Sequence, residues 1–196
     1  LSKVIRTASQ RQTKLSPVVV ARIVYDMLGG LTAAHELKDG DGNALGVVHR
    51  DISPHNVIVG VDGIARITDF GIAKAEGRIS STKTGQLKGK LAYMAPEQAE
   101  GKPLGPAADV YALGATLCFL QTGDAPSENP DFAELDAEVV ALLEACLQND
   151  PAQRPTAAEV ATRAGARLAQ LDEGDPRQGL RTCFTLFKKV PWYTTL

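Results

Sequence analysis

The chain has 196 residues, 21 of them basic and 23 acidic, for a net charge of −2 at neutral pH. That length suits one domain with a sizeable core, and the balanced charge argues against a nucleic-acid or anionic-membrane binder. Cys118, Cys146 and Cys183 form no CxxC pair and, even with His35, His49 and His55, lack the close spacing of zinc ligands; reduced thiols in a cytoplasmic protein are expected.

Leu1, Val4 and Ile5 open the chain with apolar spacing but no apolar core suited to a secretion signal. A polar run, SQRQTKLS, follows. Ser16-Pro17 then pairs a capping hydroxyl with proline at a first turn. Val20, Ile23, Val24, Met27, Leu28 and Leu31 recur with helical spacing, predicting a helix over 17–37. No run reads as the roughly 18 to 20 apolar residues of a membrane span, so no transmembrane segment is expected. DGDGN, 39–43, reads as a turn. Gly46 to Val48 reads as a short strand. Val57 to Val59 and Ala65 to Thr68, joined through Val61-Asp62-Gly63, read as a hairpin. Two pieces of sheet would then frame the loop 49–56.

Residues 72–94, rich in Gly, Ser, Thr and Lys, read as a surface loop. Helix is predicted at 96–99 and at 107–120, the latter with Val110, Leu113, Gly114 and Leu117 on its apolar side. GDAPSENPD, 123–131, is a turn segment. A helix over 133–147 would bury Leu135, Val139, Leu142, Leu143 and Cys146, and Pro155-Thr156 opens a last helix reaching about Leu171. The fold class is α+β, mainly α-helical, with one domain over 1–171 and a tail over 172–196. In the tail, Phe184 and Phe187 precede Lys188-Lys189, and Trp192 and Tyr193 follow. A tail folded back on an apolar patch, or a frayed end, is the expectation; a partner-docking or membrane-surface segment is the alternative.

The chemistry-bearing residues cluster in VVHRDISPHNVIV, 47–59, and ITDFG, 67–71. Asp51 and Asn56 are five apart in a loop, and Asp69 follows at the end of a strand. Asn56 and Asp69 could hold divalent metal on phosphate oxygens, while Asp51 accepts the proton of an incoming hydroxyl. Phosphoryl transfer needs mostly such placement and charge neutralisation. A lone loop Asp is ordinarily a cap or turn residue; three groups at this spacing make a pattern.

His49-Arg50-Asp51 with Asn56 resembles the catalytic loop of eukaryotic-type protein kinases. Asp69-Phe70-Gly71 resembles the metal-binding start of the activation segment, and Ala95-Pro96-Glu97 its close. Asp109 to Gly114 is similar to the start of the central helix of the C-lobe. Asp150-Pro151 with Arg154-Pro155-Thr156 is similar to the approach to its last helix. The likeness covers roughly residues 1–170 and is closest to bacterial serine/threonine kinases. It implies a kinase C-lobe with a small β-hairpin, using ATP and Mg2+ to phosphorylate a protein substrate. Asp51 would be the catalytic base, Asn56 and Asp69 the metal ligands, and Gly71 a source of backbone freedom. His49 would be a strut, and Arg50 the partner of a phosphate on Ser80, Ser81, Thr82 or Thr84. Glu97 and Arg154 would form a buried ion pair, and Asp109 would hold the backbone at His49 and Arg50. Small-molecule kinases share the lobe but generally lack Arg50, Phe70 and Ala95-Pro96-Glu97 in combination.

Departures from the pattern matter as much. No G-x-G-x-x-G, strand lysine or helix glutamate of an N-lobe is present. Ser53 stands where the family usually has a phosphate-contacting lysine, and Gly89-Lys90 where it has Gly-Thr. The stretch from Asp109 to Arg154 is short, so a helix between the central helix and the next is lost or shortened. The expectation is a serine/threonine kinase-like domain that transfers the γ-phosphate when joined to a complete N-lobe and is silent alone, with a protein substrate or a kinase-domain partner. The alternative is a non-catalytic kinase-like module that binds a partner.

Overall fold

The structure is a computed structural model and describes residues 1–10, 14–70, 91–124, 126, 130–171, 177, 180 and 181. Its elements in chain order are α1 (Ser2–Gln10), α2 (Pro17–His35), β1 (Val57–Val59), β2 (Ala65–Ile67), α3 (Pro96–Ala99), α4 (Pro106–Thr122), α5 (Ala137–Cys146) and α6 (Ala157–Gln170). It is mainly helical, with one two-stranded antiparallel sheet among the described residues.

α2 is the spine. Its predicted start holds, but through proline alone: Ser16 has extended backbone and makes no side-chain cap bond, while Pro17 supplies the fixed φ of the first turn. Ile23, Met27, Leu28 and Leu31 are fully buried, each worth about 1.5–3 kcal/mol of transfer free energy. α2 packs chiefly on α6 and also on α4 and β2. Gly165 lets α6 come close, since a Cβ there would lie 2.9 Å from the Tyr25 ring. Contrary to the sequence expectation, α2 reaches the length and apolarity of a membrane span, 19 residues with mean hydropathy 1.3. Half of that stretch is buried within the fold, and the i,i+4 pair Arg22–Asp26 interrupts it; the core helix of a globular domain meets the same measure.

α4 runs through the centre, buried from Ala108 to Cys118 except at half-buried Tyr111, and stops where Gly123 takes φ +88. Gly114 admits α5: a Cβ there would stand 2.7 Å from Cys146 Cβ. Burial pushes the Cys146 thiol up to about 12, and Cys118 and Cys146 are both free and buried; Cys183 lies outside the described residues. α5 begins at Ala137 rather than Ala133, because the Asp136 carboxylate accepts the Glu138 N–H and caps it there. α6 begins at Ala157 with a full capping box between Thr156 and Glu159. Among the described residues between Thr122 and Ala137 no α-helix occurs; residues 125 and 127–129 of the stretch expected to have lost a helix lie outside the described residues.

The hairpin pairs Val57 with Ile67, Ile58 with Arg66 and Val59 with Ala65. Gly63 closes its turn at φ +75. The free Ala65 N–H donates to Asp26 Oδ2 at 3.1 Å, tying β2 to α2. The strand expected at 46–48 is not formed. Gly46 lies at φ +60, outside the extended region, so the chain turns there instead of entering a ladder. The predicted loop at 72–94 falls almost wholly outside the described residues, as does the tail beyond Arg181.

Candidate active site

The loop 49–56 hangs from one buried carboxylate. Asp109, 1% exposed at the start of α4, accepts the His49 N–H at 2.7 Å on Oδ2 and the Arg50 N–H at 2.8 Å on Oδ1. His35 Nε2, from the last turn of α2, reaches the same Oδ2 at 2.9 Å. Hydrogen bonds to an ionised acceptor are the strong ones, and three of them converge here. Asp109 and Arg50 were legible as a pair from the family likeness; His35 was not, and only its place in the helix before the loop hinted at it.

His49 is fully buried. Its Nδ1 accepts the Asp51 N–H at 3.2 Å, so its Nε2 carries the proton and donates to Thr68 O at 2.8 Å. That assignment follows from the bonding pattern. The ring also meets Phe70 at 4.7 Å between centroids. His49 is thus a strut between the loop and the segment that leads to Asp69.

Arg50 and Asp69 both take left-handed backbone, φ +67 and φ +60. For residues with a Cβ this costs on the order of 1–3 kcal/mol each and persists only where neighbours fix it. Arg50 is fixed from both sides, by Asp109 at its N–H and by Gln98 Nε2 donating to its carbonyl at 2.8 Å. Asp69 follows Thr68, whose N–H donates to Asn56 O at 2.8 Å and whose hydroxyl donates to the same oxygen at 3.2 Å. Asn56 Nδ2 donates in turn to Asp51 O at 2.7 Å. Asp51, Asn56 and Thr68 are therefore linked by hydrogen bonds across the open end of the hairpin, and Asp69 is the next residue along the chain.

Ser53 precedes a single 3-10 turn, Pro54–Asn56. It is 2% exposed, and its Oγ, like Arg50 Nε, is buried without a hydrogen-bond partner among the described residues. Gly71, Gly89, Lys90 and the phosphate-acceptor candidates Ser80, Ser81, Thr82 and Thr84 lie outside the described residues. Among those described, no cluster of three or more His, Cys, Asp or Glu side chains is gathered for a metal ion.

Below the loop, Arg154 and Glu97 form the expected pair, bidentate at 2.7 and 2.8 Å. The remaining Arg154 donors go to Gln148 O, Ala107 O and Asn149 O at 2.7, 3.0 and 3.0 Å. All five N–H groups are used, and Tyr111 lies 4.9 Å beneath the guanidinium. Burial alone would raise the Glu97 carboxyl. The hydrogen bond from Arg154, the backbone N–H and the charges of Arg154 and Lys102 outweigh it, so it sits below the ordinary range. α3 is thereby locked to α4 and to the entrance of α6.

A helical lobe whose central helix pins a His-Arg-Asp loop over a short hairpin, braced below by a buried Glu–Arg pair, defines the C-lobe of a kinase. Comparison with known sequences agrees: residues 1–164 match the protein kinase domain family, and the chain belongs to it. Relatives include the tyrosine-protein kinase MasK of Myxococcus xanthus, 44% identical over 69% of this chain and 21% of the relative. The probable serine/threonine-protein kinase PkwA of Thermomonospora curvata is 36% identical over 68% of this chain and 19% of the relative. A Corynebacterium efficiens serine/threonine-protein kinase, drp72, is 31% identical over 74% and 29%. The chain is a bacterial Hanks-type kinase-family domain of C-lobe form, spanning under a third of the length of these relatives.

Proposed function

We propose that the chain is the substrate- and metal-presenting half of a protein kinase, which transfers the γ-phosphate of ATP to a protein hydroxyl once an N-lobe completes the cleft. The observation that carries this is the run of hydrogen bonds from Asp51 O through Asn56 to Thr68, with Asp69 the next residue, which sets the three oxygen-bearing residues at the open end of one hairpin. Asn56 Nδ2 is committed to Asp51 O, so its Oδ1 is the atom left to ligate. An amide oxygen and a carboxylate suit Mg2+, which takes few protein ligands and keeps substrate phosphates as the rest. Held by Asn56 and Asp69 on the phosphates of ATP, the ion would neutralise their charge. Asp51 then orients the acceptor hydroxyl and takes its proton as the oxygen attacks. Arg50 is reserved for a phosphate in the activation segment.

An N-lobe is the partner the cleft requires. Half a cleft neither encloses the nucleotide nor excludes water, so the chain alone transfers no phosphate. The proposed acceptors are serine and threonine, the residues for which the Thermomonospora and Corynebacterium kinases are named; the Myxococcus protein is named for tyrosine. Phosphoamino-acid analysis after transfer separates the two. The reading is tested with ATP, Mg2+ and a generic protein substrate: robust transfer by the chain alone, lost in Asp51→Ala, would sink the requirement for an N-lobe.

Ser53 favours a second reading. A buried serine cannot supply the cation that the family usually places there, as a non-catalytic partner-binding module would tolerate. Thermal shift decides: a ligand that binds the folded chain must stabilise it, and no magnesium-dependent gain with ATP, in the chain completed by an N-lobe, would favour the non-catalytic module.

A further inference from the structure

The family match ends at residue 164, yet two described residues beyond α6 return to the hairpin turn and a third lies buried in the core between them. Leu180 is fully buried and belongs to the main core. The Arg177 carbonyl oxygen lies 2.7 Å from where a Cβ on Gly63 would stand. Arg181 Nε makes a long contact of 3.4 Å to Asp62 O. Gly63 is thus required twice, by its φ of +75 and by the backbone pressed against it.

The touched turn, 60–63, is the closed end of the hairpin. Its open end carries Asn56, immediately before β1, and Asp69, two residues beyond β2. With three residues per strand, a two-stranded hairpin is marginal by itself and must be held from outside. Asp26 holds β2 at Ala65. We infer that Arg177, Leu180 and Arg181 form a strap over the turn, an intramolecular interaction surface outside the matched domain that sets the rigidity of the hairpin and so the spacing of Asn56 and Asp69. Its consequence for metal rests on the function proposed above; the mechanical claim does not.

Amide exchange in the full-length chain tests the strap. Leu180→Ala empties the buried anchor, whereas Leu180→Met keeps it filled. In Leu180→Ala the bonded amides of Gly60, Gly63 and Thr68 should exchange at least ~tenfold faster, about 1.4 kcal/mol of local opening, while those of Leu113 and Leu117 in α4 keep their rates. Leu180→Met should leave both sets as they were. Unchanged hairpin exchange in Leu180→Ala overturns the strap, and so does equal acceleration in α4, which would make Leu180 a general core residue. Should Leu180→Ala yield no folded chain, Leu180→Val is read by the same criteria. Mn2+ line-broadening at the Asn56 and Asp69 amides is followed in parallel. Selective loss of hairpin protection without any Mn2+ effect keeps the strap and removes the metal reading, so the two fail separately.

Discussion

Replacing Arg154 by alanine is the sharpest single perturbation of this lobe. The guanidinium makes five hydrogen bonds, two of them charge-assisted to Glu97. Its side chain is 0% exposed and that of Glu97 7% exposed. Deletion leaves a buried carboxylate without its partner and withdraws a donor from three carbonyls. Removing one member of a buried pair costs about 3–5 kcal/mol, a large share of the stability of a typical domain. For a chain of this size that is a fall of roughly 6–20 °C in Tm. Urea unfolding followed by far-UV circular dichroism measures it. A loss under about 1 kcal/mol would refute the reasoning, because it would mean that water or another cation reaches Glu97. Replacing both residues, Glu97→Leu with Arg154→Met, should recover much of the loss. The pH dependence has a definite sign. The folded Glu97 carboxyl lies below its unfolded value of 4.5, so the pair's contribution is complete above that pH. It is lost as pH falls through the folded value. Arg154→Met should flatten this acid limb.

Two further substitutions probe the site's supports. Asp109→Asn leaves one acceptor oxygen for three donors and turns an amide N–H toward them, so a loss of about 3 kcal/mol is expected. It should be accompanied by faster exchange of the His49 and Arg50 amides; a variant as stable as the parent would remove Asp109 as the anchor of the loop. Gly114→Ala forces a Cβ to within 2.7 Å of Cys146 Cβ, and overpacking of this kind costs about 1–3 kcal/mol. Cys146→Ala should not rescue it, because the offending Cβ remains; full rescue would show that the sulfur was the obstacle.

Much of this was readable in the sequence because the relevant signals are local. Pro17, the Pro155-Thr156 opening and the apolar spacing of α2 each act within a turn or two of chain. Family likeness supplied the longer links, Asp109 to the loop and Glu97 to Arg154, which no periodicity contains. What escaped was long-range and carried by ordinary residues. His35 meets Asp109 across 74 positions and Gln98 meets Arg50 across 48, and neither side chain announces a partner. The false strand at 46–48 followed from apolar composition, which cannot see that Gly46 turns the backbone at φ +60. The late start of α5 followed from giving weight to Leu135 when the Asp136 cap decided the boundary. Leu180 lay in a stretch judged by composition, which does not show that it is buried in the main core.

The proposed function holds that the 49–69 region is a half-site that becomes active once an N-lobe completes it. The direct measurement joins the N-lobe of the Myxococcus relative ahead of Leu1 and follows transfer of labelled γ-phosphate from ATP with Mg2+ to a protein substrate. The account predicts transfer by the fusion, reduced about 10²- to 10⁴-fold by Asp51→Ala and abolished by Asp69→Ala. A folded fusion that transfers nothing, or that transfers equally well without Asp51, would contradict it.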